Sequence, residues 1–383
     1  MYKDIRAVVF ENNQLEIIDQ SLLPGEEKRT VLGSVSDVYE AIRSLKVRGA
    51  PAIAIAAAYG LYIGLRQTAA DNVPDFWKEF IEAKTLLASA RPTAINLFTA
   101  LDRQERRLLN TINDLSLGLG LRLNTSDNDT QNSAKRSDVP YNTSGSCPHI
   151  GLLLSALLDE AEKIRIEEED ASLRMGEYGL SLLKPGMGLL THCNAGALAS
   201  AGYGTALSPV YLGQERDYGF KVFADETRPL LQGARLTAWE LMKAGIDVTL
   251  ICDNMASAAM RKGWVQAVLT GCDRMAANGD GANKIGTSAL AILAKAYNIP
   301  FYMFVPTSTI DIGTDSGDAI PIELREGDEI CKLWFEKPVA PEGVKTWNPA
   351  FDVTKHEYIS AIITEKGIIY PPFSSSIKHL CLE

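Results

Sequence analysis

Residues 268–297 read VLTGCDRMAANGDGANKIGTSALAILAKAY: an apolar run, then an acid, asparagines, a lysine and glycines, then an alanine-rich helical pattern. Asp273, directly after the apolar run, is a candidate acid or base, and Lys284 is a point charge suited to a phosphate. Asn283 stands beside that lysine, and Gly279, Gly281 and Gly286 would let backbone approach a ligand closely. Two nucleotide-binding readings fail on spacing. GANKIGT has Thr287 where a P-loop needs Lys, and GDGANK has Lys284 where G-x-G-x-x-G needs its last glycine. A solvated loop lysine is the plainer alternative.

A second turn, THCNAGALASAGYGTAL, sets His192, Cys193 and Asn194 before a glycine-rich helix start. Free N–H groups there would attract an anion and ease ionisation of a thiol, which makes Cys193 a candidate for chemistry as well as packing. No H-x-x-x-H spacing accompanies His192, so no metal site is expected. ADETRPLLQGARLTAWEL holds Glu226, Thr227, Arg228, Gln232 and Arg235; Gln232 suits a sugar hydroxyl, while the acids also fit a helix N-terminus. Asp253 in ICDNMASAAM reads as a helix cap. Arg48-Gly49-Ala50-Pro51 and Arg91-Pro92 each place an arginine in a stiff loop before a helix, a good phosphate clamp, against the alternative of surface arginines.

These side chains need a scaffold that brings distant turns together. GMGLLTHC, FKVFADE, DVTLICD, VQAVLTGCD, PFYMFVP and a late GIIY are short apolar runs alternating with helical text, the pattern of a parallel sheet covered on both faces. Ligands bind such sheets beyond the carboxyl ends of the strands, where Cys193 and Asp273 fall. Upstream, IRAVVFENNQLEIIDQ reads as a hairpin turning at Asn12-Asn13, SVSDVYEAIRSL and the uncharged APAIAIAAAYGLYIGL as helices, and residues 75–115 as helical with a break at ARPTAINL. Residues 116–150 are rich in Asn, Ser, Thr, Asp and Gly and read as a mobile insertion, its sequons at Asn124, Asn128 and Asn142 products of that composition. The expected division is a hairpin plus helices over 1–115, the insertion over 116–150, and an α/β domain with a parallel sheet over 151–383.

The chain has 383 residues, room for a catalytic cleft, and a net charge of −10 that argues against nucleic acid as a partner. The N-terminus lacks a secretory h-region and residues 50–65 are too short for a bilayer, so an intracellular protein without a membrane partner is expected, in the cytoplasm with the nucleus as a second location. Six scattered cysteines without C-x-x-C spacing read mostly as buried small hydrophobes.

Taken in order, VRGAPAIAIAAAYG, ARPTAINL, THCNAGALASAGYGTAL, ETRPLLQGARLTAWEL, CDNMAS and GCDRMAANGDGANKIGT resemble the methylthioribose-1-phosphate isomerases of methionine salvage. That family shares its fold with the alpha, beta and delta regulatory subunits of the translation-initiation guanine-nucleotide exchange factor, and the likeness covers nearly the whole chain except the insertion. It implies a helical N-terminal domain with a small antiparallel sheet and a Rossmann-like C-terminal domain, in an aldose–ketose isomerase, usually a homodimer, that takes a small phosphorylated sugar and uses no metal or nucleotide cofactor. It further implies that Cys193 and Asp273 are catalytic and that Arg48, Gly49, Ala50, Arg91, Gln232, Asn283 and Lys284 contact substrate. An aldose with phosphate on its anomeric carbon cannot open spontaneously, so Asp273 is expected to protonate the ring oxygen. Hydrogen then passes from C2 to C1, by proton with Cys193 as base or by hydride with Cys193 as stabiliser. A non-catalytic exchange-factor subunit and a ribose 1,5-bisphosphate isomerase are the competing readings; the second needs another cationic cluster, which the sequence does not display.

Overall fold

The structure, a computed structural model, describes residues 5–91, 94–118 and 148–382. It opens with an antiparallel sheet of β1 (Val8–Glu11), β2 (Gln14–Ile18) and β3 (Arg29–Leu32). Asn12 and Asn13 both have positive φ, 50° and 61°, so the tight turn has the handedness that matches strand twist. Helices α1 (Val35–Arg43), α2 (Ala50–Leu65), α3 (Val73–Ser89) and α4 (Ile95–Gly118) follow. Ser34 and Asn72 accept the N–H of Asp37 and Asp75, which starts α1 and α3 where capping residues stand. Helix α2 is buried along nearly its whole length because the other helices and the sheet surround it; Gly60 and Gly64 let Val38 and Val35 of α1 approach it.

Helix α5 (Pro148–Leu180) joins two cores. Ile150, Leu153, Leu157, Ala161 and Ile164 pack with the first helices, whereas Met175 and Leu180 pack under the large sheet. The expected insertion is shorter at both ends than composition implied, since α4 reaches Gly118 and α5 begins at Pro148; the remainder lies outside the described residues.

The large sheet contains β4 (Gly188–Thr191), β5 (Lys221–Asp225), β6 (Asp247–Ile251) and β7 (Ala267–Thr270). Between them come α6 (Ser208–Glu215), α7 (Ala238–Lys243) and α8 (Ala256–Arg261). Next comes a separate small sheet formed by β8 (Arg274–Ala276), β9 (Gly281–Lys284), β11 (Ile310–Asp311) and β12 (Phe351–Thr354). Helix α9 (Thr287–Ala296) and β10 (Phe301–Phe304) lie between its members, and β13 (Ala361–Thr364) and β14 (Gly367–Ile369) complete the large sheet. Its strand order is β14-β13-β10-β7-β4-β5-β6. All neighbours are parallel except β13–β14. This is the expected α/β class, a Rossmann-like sheet behind a smaller, mainly helical part with its own antiparallel sheet. The chain winds outward from β4 through β5 to β6, then returns to β7 on the other side of β4. The direction reverses between β4 and β7, where the helices that cover the two faces leave a crevice.

Candidate active site

Strands β4 and β7 are paired through Thr191↔Leu269, so their carboxyl ends lie side by side at the reversal point. Cys193 follows one and Asp273 the other. Both line a cleft of about 530 Å3 together with Arg48, Gly49, Ala50, Arg91, Gln232, Asn283 and Lys284. Every residue that the family resemblance assigns to substrate or catalysis therefore borders one cavity. Its opposite wall comes from α2 and α4 through Ile53, Ile95 and Phe98, and Ile320, Ile322 and Phe351 add more apolar surface.

The loop of Arg48 ahead of α2, read in the sequence as a phosphate clamp, borders the cleft. Behind Lys284, the start of α9 is partly committed: Asp352 accepts from Gly286 N at 2.8 Å and Ser288 N at 3.1 Å. Helix α2 starts beside the cleft with Gly49 as its cap, φ 90°, and no side-chain cap bond among the described residues. Arg48 stands just before that terminus. Lys284 is not in a loop at all; it ends β9, paired with Phe351, and is only 8% exposed. Its Nζ donates to Ala350 O at 2.9 Å and sits 4.6 Å from the Phe351 ring centre. Burial lowers its pKa, which Cys193 and Asp273 oppose. Asn283 donates to Thr287 Oγ1 at 3.0 Å, fixing its amide.

The three glycines of this segment serve packing instead of ligand approach. A Cβ on Gly279 would meet Phe373, one on Gly281 Met303, and one on Gly286 the His192 ring. Arg228 and Arg235 likewise turn to structural work. Arg228 donates to Ile330 O at 2.8 Å, and Arg235 donates to Leu23 O and Gln20 O while lying 4.0 Å from the Trp334 ring centre. Gln232 does line the cleft, ahead of a π-helical turn over Gly233–Thr237 rather than a regular helix start. Asp253 accepts from Thr227 N and Arg228 N, both at 2.7 Å, so it ties down the loop after β5 and is not a cap for its own helix.

Cys193 takes φ 66°, an uncommon conformation for a residue with a side chain, and its N–H donates to Thr227 Oγ1 at 2.8 Å. No long helix begins behind it: only a 3-10 turn over Ala197–Ala199 follows before α6. Burial pushes its pKa up and Asp273 adds to this, against Arg48 and Lys284. The expected easing of ionisation is thus overturned; the free cleft holds a thiol. Among the cysteines with described side chains only Cys272 is buried, while Cys193, Cys252 and Cys331 are partly exposed, contrary to the small-hydrophobe reading. Asp273 opens onto the cleft but is otherwise crowded by protein, and that crowding raises its pKa against the pull of Lys284, Arg91 and Arg48.

These groups rest on a polar layer of which the sequence reading named His192 and Asn194 but not Asp225 or Glu240. His192 is 1% exposed; Nδ1 lies 2.9 Å from Asp225 Oδ2 and Nε2 2.8 Å from Ile285 O. Burial opposes its charge, yet the bond to Asp225 wins and raises its pKa, while burial lifts Asp225 to about 6. The ring braces the residue before Cys193 to the residue after Lys284. Glu240, wholly buried, is pushed up to about 7 by burial against hydrogen bonds from Leu198, Tyr211 and Asn194 and the charge of Arg48. Its only sequence signal is an acid inside an apolar helical pattern, AWEL.

Residues 46–371 match the initiation factor 2 subunit family. A methylthioribose-1-phosphate isomerase of Symbiobacterium thermophilum is 55% identical over 382 residues, 99% of this chain and 97% of that protein. A 5-deoxyribose 1-phosphate isomerase of Petrotoga mobilis is also 55% identical, over 96% of each chain. Among solved structures, 5-methylthioribose 1-phosphate isomerase of Pyrococcus horikoshii superposes with a TM-score of 0.82 at 40% identity, covering 98% of this chain and 95% of that one. The translation initiation factor eIF-2B delta subunit of A. fulgidus gives 0.82 at 36% identity over 99% of each.

Proposed function

The chain belongs to the initiation factor 2 subunit family, in its sugar-phosphate isomerase branch, and on that premise we propose that it converts 5-methylthioribose 1-phosphate to 5-methylthioribulose 1-phosphate in methionine salvage. The observation that carries this reading is the convergence of Cys193 and Asp273 on a cleft that also gathers Arg48, Arg91, Lys284 and the N-terminus of α2. The phosphate sits among those cations and amides, Gln232 and Asn283 hold sugar hydroxyls, and the apolar wall receives the methylthio end. Asp273 gives its proton to the ring oxygen and the C1–O4 bond opens. The hydrogen on C2 moves to C1, the C2 hydroxyl becomes the ketone, and its proton returns to Asp273. No net proton is consumed.

The thiol state of Cys193 favours hydride transfer over an enediol, because abstraction of the C2 proton needs a thiolate, which the raised pKa disfavours. Cys193 then stabilises the cationic C1 centre. Turnover in D2O should accordingly leave C1 of the ketose free of solvent deuterium by NMR; stoichiometric incorporation would establish the enediol route instead.

Incubation with methylthioribose 1-phosphate, followed by NMR for the ketose, tests the assignment; an inert enzyme would end it. A parallel incubation with 5-deoxyribose 1-phosphate addresses the second name among relatives, for the apolar wall admits a methyl group too, although burying the extra methylthio surface favours the larger substrate. Ribose 1,5-bisphosphate is a poorer fit. The further arginines lining the cleft are already paired, Arg274 with Asp311 and Arg325 with Glu323 and Glu329.

A homodimer is part of the same proposal. Edge strand β6 is largely exposed, and Met242, Leu250, Met255 and Trp264 give that side an apolar face suited to a second copy. Light scattering should return twice the chain mass, and a monomer at micromolar concentration would refute it.

A further inference from the structure

Arg48 reaches the cleft from the helical part of the molecule, yet its aim is set by the sheet part. Nη2 donates to Asn194 Oδ1 and Nη1 to the Asn194 carbonyl oxygen at 3.4 Å. Its Nε has no partner among the described residues, so the guanidinium is oriented chiefly by one asparagine.

The orientation of that asparagine is itself forced. Asn194 Nδ2 donates to a Glu240 carboxylate oxygen and to Thr237 Oγ1 at 3.1 Å. The Thr237 hydroxyl hydrogen is committed to Cys193 O at 2.6 Å, leaving its oxygen as an acceptor. The other Glu240 oxygen accepts from Leu198 N at 3.1 Å and Tyr211 Oη at 3.0 Å. With acceptors on one side, the amide must turn its nitrogen toward Glu240 and its oxygen toward Arg48. The Gly in HCNAG follows from the same layer, since a Cβ on Gly196 would strike the Glu240 carboxylate.

We propose that Glu240 is a positioning residue for the isomerase: through Asn194 it fixes and electrostatically supports Arg48 as a phosphate-gripping group, without itself touching substrate. The inference rests on the reading of the cleft's cationic end as a phosphate site. Its chemistry is a buried chain of carboxylate, amide and guanidinium, in which each hydrogen bond sets the polarity of the next.

Glu240→Gln tests it by reversing that polarity, with binding measured at about pH 8.5 so that the wild-type carboxyl, held at about 7, is ionised. Leu198 N–H cannot turn, so the introduced amide keeps its oxygen there and points its nitrogen at Asn194. Asn194 must then flip and present –NH2 to Arg48, donor against donor. The dissociation constant for inorganic phosphate, measured by calorimetry, should rise about tenfold, as should KM for the sugar phosphate, with a smaller change in kcat. The double variant Glu240→Gln with Asn194→Asp should recover phosphate affinity to within about threefold of wild type, because a carboxylate at 194 accepts from both neighbours and restores the charge. A purely structural role for Glu240 predicts no such rescue.

Unchanged phosphate affinity in Glu240→Gln, or loss without recovery in the double variant, overturns the proposal. Should the single variant fail to fold, Asn194→Ala cuts the same link, and wild-type phosphate affinity there overturns it equally. If the wild type binds phosphate but does not turn over methylthioribose 1-phosphate, and the loss and rescue still appear, the positioning role stands and the substrate assignment falls. A wild type that binds no phosphate removes both.

Discussion

Asp273→Asn is expected to lower kcat about 10³-fold while leaving substrate affinity within about threefold of wild type. The substitution is nearly isosteric and keeps the backbone bond from Asp273 N to Ala282 O at 2.9 Å, so the β8–β9 turn should hold its shape. What disappears is the transferable proton. The sign of the pH dependence follows from the crowding that raises this carboxyl. An ordinary aspartate is deprotonated above about pH 4, whereas a raised one stays loaded to higher pH, and activity falls as pH climbs through the raised value. Initial rates of ketose formation against pH should show this descending limb in the wild type and lose it in Asp273→Asn. Near-normal turnover by the variant would remove Asp273 from the reaction.

The second large effect is expected from Cys193→Ala. Removing a group that stabilises charge in the transition state costs about 10²–10³ in kcat, and the hydride reading puts Cys193 in that role. Fold damage should be small. Alanine retains the Cβ at φ 66°, so it adds no backbone strain beyond what cysteine already bears, and the bond from Cys193 N to Thr227 Oγ1 belongs to the backbone. Single-turnover rates alongside the melting temperature separate chemistry from unfolding; a rate loss that merely tracks a fall in melting temperature would count against the role.

Much of the scaffold was legible because parallel strands buried on both faces leave a plain signature. GLLT, KVFAD, AVLT and FYMF all appear as strands where apolar runs stood. The switch-point rule then put Cys193 and Asp273 at the crevice that both line, since it depends only on strand ends. The small sheet was not legible. GANK carries no apolar alternation and little β propensity, and its pairing with FDVT is made across more than sixty positions. Lys284 therefore read as a loop residue, although it ends a buried strand. Glu240 escaped for a related reason. An acid in a helical pattern looks solvated until tertiary packing buries it under Asn194, a relationship that neither residue's neighbours announce.

The pairing of β9 with β12 has a consequence for how this protein comes into being on the ribosome. Arg48 and Arg91 emerge early, but the strand that borders Lys284, Phe351–Thr354, is synthesised only near the end. The strand that covers Lys284 therefore cannot close over it before Thr354 has been made, whatever the earlier residues have already built.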